Sequence, residues 1–173
     1  MRTISMVRVV GIASALAVAS LSARADDCAT VISAQFAQAK APYAATTTMS
    51  QPGQPVSRSE MVVSGATMYF QVGGAWQSMP YSAQEVIDRS TENAKKAKVK
   101  PTCQKFGAEQ VSGEAATVYN VHEEAKDGDA IDSRIWISDS RGLPLKLEVH
   151  LGSGTSFTET TRYDGIQPPT GAK

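Results

Sequence analysis

The chain has 173 residues, of which 42% are hydrophobic, and it carries 17 basic and 17 acidic side chains. A chain of this length can form one domain with its own core, but it is short for two. The balanced charge argues against nucleic acid or an anionic membrane as a partner, because both require a basic surface.

The first 25 residues have the three parts of a cleaved export signal. Two arginines give a positively charged start, and an almost uninterrupted apolar run follows over residues 9–21. The small residues Ala23 and Ala25 fit the two positions that a signal peptidase reads. The apolar run is too short to cross a bilayer as a helix, so no transmembrane segment is expected after cleavage. We therefore predict a periplasmic or secreted protein that is soluble once this segment is removed.

Cleavage after Ala25 removes three arginines and no acidic residue, which leaves 14 basic and 17 acidic side chains. The remainder is predicted to be a single domain over residues 26–168, followed by a flexible tail over residues 169–173. The slightly negative charge of this domain again excludes nucleic acid as an expected partner.

The first predicted element is an amphipathic helix that ends at about Lys40. Asp26 or Asp27 caps its start, and its apolar positions lie on the same face as Cys28. Extended segments follow, and Gly73-Gly74 indicates a tight hairpin turn. These segments cover residues 43–49, 58–64 and 67–72, and then Ala75 and Trp76.

A second helix is predicted from a capping box formed by Ser82 and Glu85 to about Ala97. Its apolar face is thin, so we expect it to pack lightly on its neighbours. From Phe106 onward, turn-forming residues separate short alternating segments, which is typical of an antiparallel meander. Strands are predicted there over residues 115–124, 130–138, 143–151 and 155–163.

The strand from Leu143 to Leu151 alternates between apolar and polar residues, which predicts one buried face and one solvated face. After cleavage the chain has only four leucines, all in this strand. A sheet lined by smaller side chains leaves room for a hollow, whereas an ordinary core of Ile, Val, Met and aromatic residues is the alternative. The predicted buried set is Leu143, Leu145, Leu147, Val149 and Leu151, and the solvated set is Lys146, Glu148 and His150.

Cys28 and Cys103 are predicted to form one disulfide, because an exported domain folds in an oxidising compartment. The bond is expected to join the start of the first helix to the chain just after the second helix. Two buried free thiols are the alternative. A redox-active pair is disfavoured because the two cysteines do not form a Cys-x-x-Cys motif.

The sequence contains no recognised catalytic motif: it lacks Gly-x-Ser-x-Gly, a phosphate-binding glycine loop and His-Glu-x-x-His. We therefore predict no enzymatic activity, no catalytic residues and no cofactor. The two histidines, His122 and His150, are expected on the solvated side of their strands. The acidic run after His122 is interpreted as a charged strand end and turn rather than a metal site. It comprises Glu123, Glu124, Asp127 and Asp129.

Trp136 lies between Ile135 and Ile137, so its side chain faces away from both isoleucines. If the isoleucines fill the core side of the sheet, Trp136 lies on the other face. If the phase is reversed, Trp136 lines the concave side. The sequence does not decide between these two arrangements.

Four segments of the C-terminal half form a series: a Tyr-bearing strand, a strand that ends in Trp-Ile-Ser-Asp, a Gly-Leu-Pro turn and a late Tyr-Asp pair. They lie at residues 116–121, 133–139, 142–148 and 163–164. This series resembles the LolA/LolB-like superfamily of periplasmic lipoprotein carriers and their relatives.

The resemblance implies an α+β fold, in which a curved antiparallel sheet forms an incomplete barrel with two helices packed on its concave side. It also implies a hydrophobic cavity that accepts acyl chains. We therefore predict a binding or carrier protein for a lipid, a lipoprotein acyl chain or another hydrophobic ligand. The alternative is a structural or protein-interaction domain of the envelope, with a filled core and no ligand.

If the fold is of this kind, apolar residues on the concave side border the ligand. The sequence alone does not show which of the candidates share one face of the sheet. The candidate ligand-binding residues are Met61, Val63, Tyr69, Phe70, Trp76 and Tyr119.

Overall fold

The computed structural model describes residues 24–97, 101–124 and 130–172. The predicted export signal up to residue 23 and the acidic turn at residues 125–129 lie outside the described residues. No helix within the described residues is long and apolar enough to span a membrane. The described helices and strands are α1 (Arg24–Lys40), β1 (Tyr43–Ser50), β2 (Ser57–Ser64), β3 (Thr67–Val72), β4 (Ala75–Pro80), α2 (Ala83–Ala97), β5 (Thr102–Val111), β6 (Glu114–Glu124), β7 (Ala130–Ser138), β8 (Pro144–Leu151) and β9 (Ser156–Arg162).

The nine described strands form one antiparallel sheet in the order β4-β3-β2-β1-β9-β8-β7-β6-β5. Strands β4 and β5 are its two edges and do not pair with each other, so the barrel is not closed. Strand β9 pairs with β1 and thereby joins the N-terminal strands to the C-terminal meander. The predicted α+β fold with a curved, incomplete barrel is confirmed.

Side chains alternate between two faces of this sheet. We call the face against which α1 packs the helix face, and the opposite one the open face. On the helix face, Val31 and Ala34 of α1 pack against Tyr119, Ile135 and Ile137. Helix α1 contacts β5, β6, β7 and β8, whereas α2 packs mainly against α1.

Helix α2 begins as the capping box predicts. The backbone N–H of Glu85 donates to Ser82 Oγ at 3.3 Å, and that of Val86 donates to the Ser82 carbonyl at 3.1 Å. The Tyr81 hydroxyl donates to the Ala39 carbonyl at 2.9 Å and so ties the start of α2 to the end of α1. None of the α2 side chains that the structure describes is fully buried, and Val86 is 40% exposed. The light packing expected of this helix is confirmed.

The predicted disulfide between Cys28 and Cys103 is present. Because Cys103 lies inside β5, the bond joins α1 to an edge strand of the sheet rather than to the end of α2. A hydrogen bond reinforces this junction, since the backbone N–H of Lys105 donates to Asp27 Oδ2 at 2.9 Å.

The prediction that all apolar residues of β8 share one face is wrong. The pairing of β7 with β8 shifts between Trp136 and Ile137, which inserts one extra residue into β8. A bulge of this kind rotates the strand, so the strict alternation is interrupted. Leu147 therefore packs on the helix face, while Leu145 packs in a cluster around Trp136 on the open face.

Trp136 lies on the open face and is only 2% exposed. Its indole Nε1 donates to Glu109 Oε2 at 2.8 Å, and Lys146 Nζ lies 4.4 Å from the ring centroid. Lys146 also pairs with Glu148 at 2.6 Å, and both side chains are less than a third exposed. The expectation that Lys146 and Glu148 lie on a solvated face is therefore wrong, because Lys146 lies over the Trp136 ring and pairs with Glu148.

Candidate ligand site

The helix face carries apolar surface that α1 leaves uncovered. On β1 and β2, the buried residues Tyr43, Ala45 and Val63 form a cluster against which partly buried side chains pack. The members of this cluster are buried or partly buried, and exposed apolar side chains lie on the same face of the sheet. The partly buried members of the cluster are Met61, Met68, Tyr81 and Tyr163, and the exposed apolar side chains beside it on the same face are Met49 and Met79.

A small apolar pocket of about 140 Å³ lies between α1 and the meander strands. Ligand pockets for drug-sized molecules have volumes of about 300–1,000 Å³, so this pocket holds only part of such a ligand. An extended apolar molecule would have to continue along the uncovered surface or displace a helix. The apolar residues that line the pocket are Val31, Ile32, Pro101, Cys103, Val121, Ile135, Leu147 and Val149.

The strand register divides the six candidate ligand-binding residues between the two faces. Met61, Val63 and Phe70 lie together on the helix face, where Met61 pairs directly with Phe70 across β2 and β3. Tyr119 lies on the same face beneath α1 and is 8% exposed. Tyr69 and Trp76 lie on the open face, so a site on the helix face does not include them.

Glu159 is the acidic side chain near the middle of the helix face. Its neighbours across the strands are Leu147 on β8 and Thr47 on β1. Thr47 Oγ1 donates to Glu159 Oε2 at 3.3 Å. Burial raises the pKa of the Glu159 carboxyl, and the hydrogen bond from Thr47 lowers it in part. The neighbouring pocket under α1 also has Gln35, Glu123 and Ser133 in its lining. An apolar surface with a few polar groups has the general make-up of a ligand site.

Three tyrosines border the same region. The Tyr43 and Tyr163 rings lie 6.5 Å apart, and the Tyr163 hydroxyl donates to the Pro144 carbonyl at 2.6 Å. Burial raises the pKa of Tyr43, Tyr81 and Tyr163. These hydroxyl groups therefore stay protonated at neutral pH and add no charge to the surface.

The open face contains two larger clefts, of about 500 and 600 Å³. The lining of the first is mostly polar and charged, and that of the second mixes charged residues with apolar ones, among them Met61. The first contains His122 and His150; His122 Nδ1 lies 2.7 Å from Asp132 Oδ1, and this hydrogen bond raises the pKa of His122. The second contains Trp76 among arginine and carboxylate side chains. No cluster of ligating side chains suited to a metal ion occurs in the described part of the chain. Most of the residues that line the small pocket under α1 are apolar, so this pocket suits an apolar ligand better than the two clefts do.

Sequence reasoning missed Glu159 and its neighbour Phe157. In β9, Phe157, Glu159 and Thr161 share one phase of the alternation, and their pairing with Met49, Thr47 and Ala45 places them on the helix face. The available signal in the sequence was that Glu159 is the acidic residue in this alternating set of β9. To assign Glu159 to a face of the sheet, one must know that β9 pairs with β1. The two strands are more than a hundred residues apart in the chain.

No protein-family model matches the sequence, and no curated protein matches it. Solved structures do resemble the fold. MucB in complex with MucA(peri) has a TM-score of 0.50 at 18% identity, and the match covers 84% of this chain and 58% of that one. This chain therefore spans less than two thirds of MucB. At this identity the likeness concerns the fold alone.

Two further matches have lower TM-scores. LprF from Mycobacterium bovis has a TM-score of 0.46 at 13% identity, and the match covers 83% of this chain and 96% of that one. A LolA superfamily protein from Nitrosomonas europaea has a TM-score of 0.29 at 9% identity, and the match covers 80% and 90% of the two chains.

Proposed function

We propose that this protein is a periplasmic binding or carrier protein for a hydrophobic ligand, such as a lipid or a lipoprotein acyl chain. On this proposal the first 25 residues are removed on export, and residues 26–168 act as a single domain. The observation that carries the proposal is the apolar pocket under α1, together with the exposed apolar side chains of Met49 and Met79 on the helix face. Exposed apolar surface of this kind is costly in water unless it serves binding.

In this proposal, the ligand lies between the sheet and the two helices. Met61, Val63 and Phe70 contact its apolar chain, and Tyr119 forms the end of the site beneath α1. Helix α2 acts as the movable cover, because its side chains are only lightly packed and Tyr81 ties its start to α1. Burying each methylene gains about 0.8 kcal/mol, so ten methylenes offset association costs of several kcal/mol.

Two neighbouring residues of β3 give a matched test, because they point to opposite faces. Phe70→Ser removes an aromatic side chain from the helix face, and Tyr69→Ser removes one from the open face. Competition with a fluorescent fatty acid measures acyl binding to each variant. We expect Phe70→Ser to weaken binding by about tenfold, from the loss of roughly 1.5 kcal/mol of apolar contact, and Tyr69→Ser to leave it unchanged. Equal effects, or no binding by the unsubstituted protein, would contradict the proposal.

A second candidate function is protein interaction in the envelope. Strand β4 forms one edge of the sheet, and none of its six residues is charged. Edges of this kind pair with extended segments of other chains, and MucB, whose fold is similar, has been solved in complex with MucA(peri). A photo-crosslinking residue at Gln77 tests this function. A defined adduct at Gln77, with none at Gln104 on the other edge, would favour it.

A further inference from the structure

On the helix face, Glu159 has two apolar neighbours, Leu147 and Phe157, and two threonine neighbours, Thr47 and Thr161. Its cross-strand neighbour Leu147 lines the pocket under α1. On its own strand the next residue on this face is Phe157, which pairs with Met49. Glu159 thus lies between the pocket under α1 and the exposed side chain of Met49.

The partly buried carboxylate of Glu159 has few hydrogen-bond donors to offset its loss of hydration. It is partly buried, and within the described residues its side chain has one hydrogen bond, which Thr47 Oγ1 donates at 3.3 Å. In the described part of the chain, no lysine, arginine or histidine forms an ion pair with it. A carboxylate removed from water costs free energy unless a cation or several donors satisfy it.

Among the described residues, the groups that act on Glu159 are Thr47 and two buried tyrosines, and none of them is a cation. The tyrosines Tyr43 and Tyr163 act on it only as neutral rings and hydroxyls, and Tyr81 packs against the same cluster. Burial raises the pKa of Glu159, which is the direction expected for an acid without a positive partner. A bound cation would restore the balance by favouring the ionised carboxylate.

We propose that Glu159 binds the polar end of the ligand, and that the ligand is an amphiphile in which an ammonium group is attached to an apolar chain. The inference rests on the proposed function, since it names the class of hydrophobic ligand that the helix face accepts. The apolar chain would lie against the pocket and the Met61–Phe70 pair, and the ammonium group would donate to the Glu159 carboxylate.

Three amphiphiles with the same chain test this inference: dodecylammonium, 1-dodecanol and dodecanoate. Each is titrated against the mature protein loaded with N-phenyl-1-naphthylamine, a neutral apolar fluorophore, and its displacement gives the affinity. A hydrogen bond to a charged group contributes about 1.5–3 kcal/mol, which corresponds to tenfold or more in affinity. We expect dodecylammonium to bind at least tenfold more tightly than dodecanol, and dodecanoate to bind most weakly.

The same series on Glu159→Gln assigns the preference to this residue. We expect the affinity for dodecylammonium to fall to within about threefold of that for dodecanol, while the affinity for dodecanol stays unchanged. Glu60→Gln is the matched control, because Glu60 lies on the open face and its side chain is 41% exposed. It should keep the full preference for the ammonium compound.

The outcomes separate the two proposals. Equal binding of the three amphiphiles, or a preference that survives Glu159→Gln, overturns the role of Glu159 and leaves the hydrophobic site intact. Failure of all three to displace the fluorophore overturns the proposed function together with this inference. A purely structural Glu159 predicts that Glu159→Gln lowers the urea midpoint of unfolding, whereas a ligand-binding Glu159 predicts an unchanged or higher midpoint, because an uncompensated charge is removed.

Discussion

At the scale of single residues, burial decides which side chains stabilise the fold. Ile135 is 2% exposed and lies at the centre of the cluster between α1 and the sheet, whereas Ile32 on α1 is 41% exposed. The sequence left open whether Ile135 or Trp136 faces the core side of β7. The packing of Ile135 against Val31 and Ala34 shows that Ile135 faces it.

The two isoleucines provide a matched pair of substitutions. Ile135→Ala should lower the free energy of unfolding by about 3 kcal/mol, because it removes buried methyl groups and leaves a cavity. Ile32→Ala should change it by less than about 1 kcal/mol, since its side chain is partly in water. Urea unfolding followed by circular dichroism measures both. Similar losses for the two variants would show that α1 does not pack on the sheet as described.

Arg141 joins two carboxylates at the turn before β8. It forms a bidentate pair with Asp164 at 2.9 and 2.6 Å, and its Nε lies 3.2 Å from Glu114 Oε1. Hydrogen bonding from Ser138 is the main cause of the lowered pKa of Glu114, with smaller contributions from Ser140 and Arg141. Hydrogen bonding from Arg141 lowers the pKa of Asp164.

Acid should therefore weaken the fold through this cluster. Groups whose pKa is lowered on folding stabilise the protein fully above their unfolded pKa, and this contribution is lost as the pH falls through the folded pKa. The loss should occur below about pH 4, the ordinary range of these carboxyls. Arg141→Gln should flatten the decline of the urea midpoint between pH 5 and 2, whereas Arg89→Gln on exposed α2 should not. The same decline in all three proteins would contradict this role.

At the scale of elements, local signals predicted most boundaries. Gly73 and Gly74, with φ of +58° and +83°, form the hairpin turn that the sequence indicated, because glycine adopts this left-handed region without steric cost. The bulge in β8 was not visible, since Leu145 and Leu147 fit an unbroken alternation. The target of α2 was also hidden, because a thin apolar face does not show whether a helix packs on a sheet or on another helix.

The disulfide between Cys28 and Cys103 is the covalent link between α1 and the edge strand β5. It closes a loop across a sequence separation of 75, for which chain entropy predicts a stabilisation of roughly 4 kcal/mol. The double variant Cys28→Ser, Cys103→Ser should lose about this much in urea unfolding. The reduced unsubstituted protein should unfold at the same urea concentration. Thiol titration of the denatured, unreduced protein should find no free thiol; two free thiols per chain would contradict the bond.

At the scale of the whole molecule, the sequence predicted the type of fold but not the composition of the site. Turn spacing and alternation are local, so they identified the meander from β6 to β9. The pairing of β9 with β1 is a long-range contact, and together with the pairing of β1 with β2 it places Glu159, Thr47 and Met61 on one face. Tyr69 and Trp76 were grouped with Phe70 for the same reason: residue type shows apolar character but not which face a strand presents.

The length of the ligand should be readable from affinity, because the apolar surface of the helix face is finite. A homologous series of saturated acyl ligands, from six to sixteen carbons, is titrated against the mature protein by calorimetry. Each methylene that enters the site should add about 0.8 kcal/mol, which is roughly fourfold in affinity. The increase should stop once the pocket under α1 and the surface around Met61 and Phe70 are filled. Phe70→Ser should shorten the chain length at which the plateau begins, whereas Tyr69→Ser should not. An affinity that is independent of chain length would mean that the acyl chain is not buried, and would favour the protein-interaction function instead.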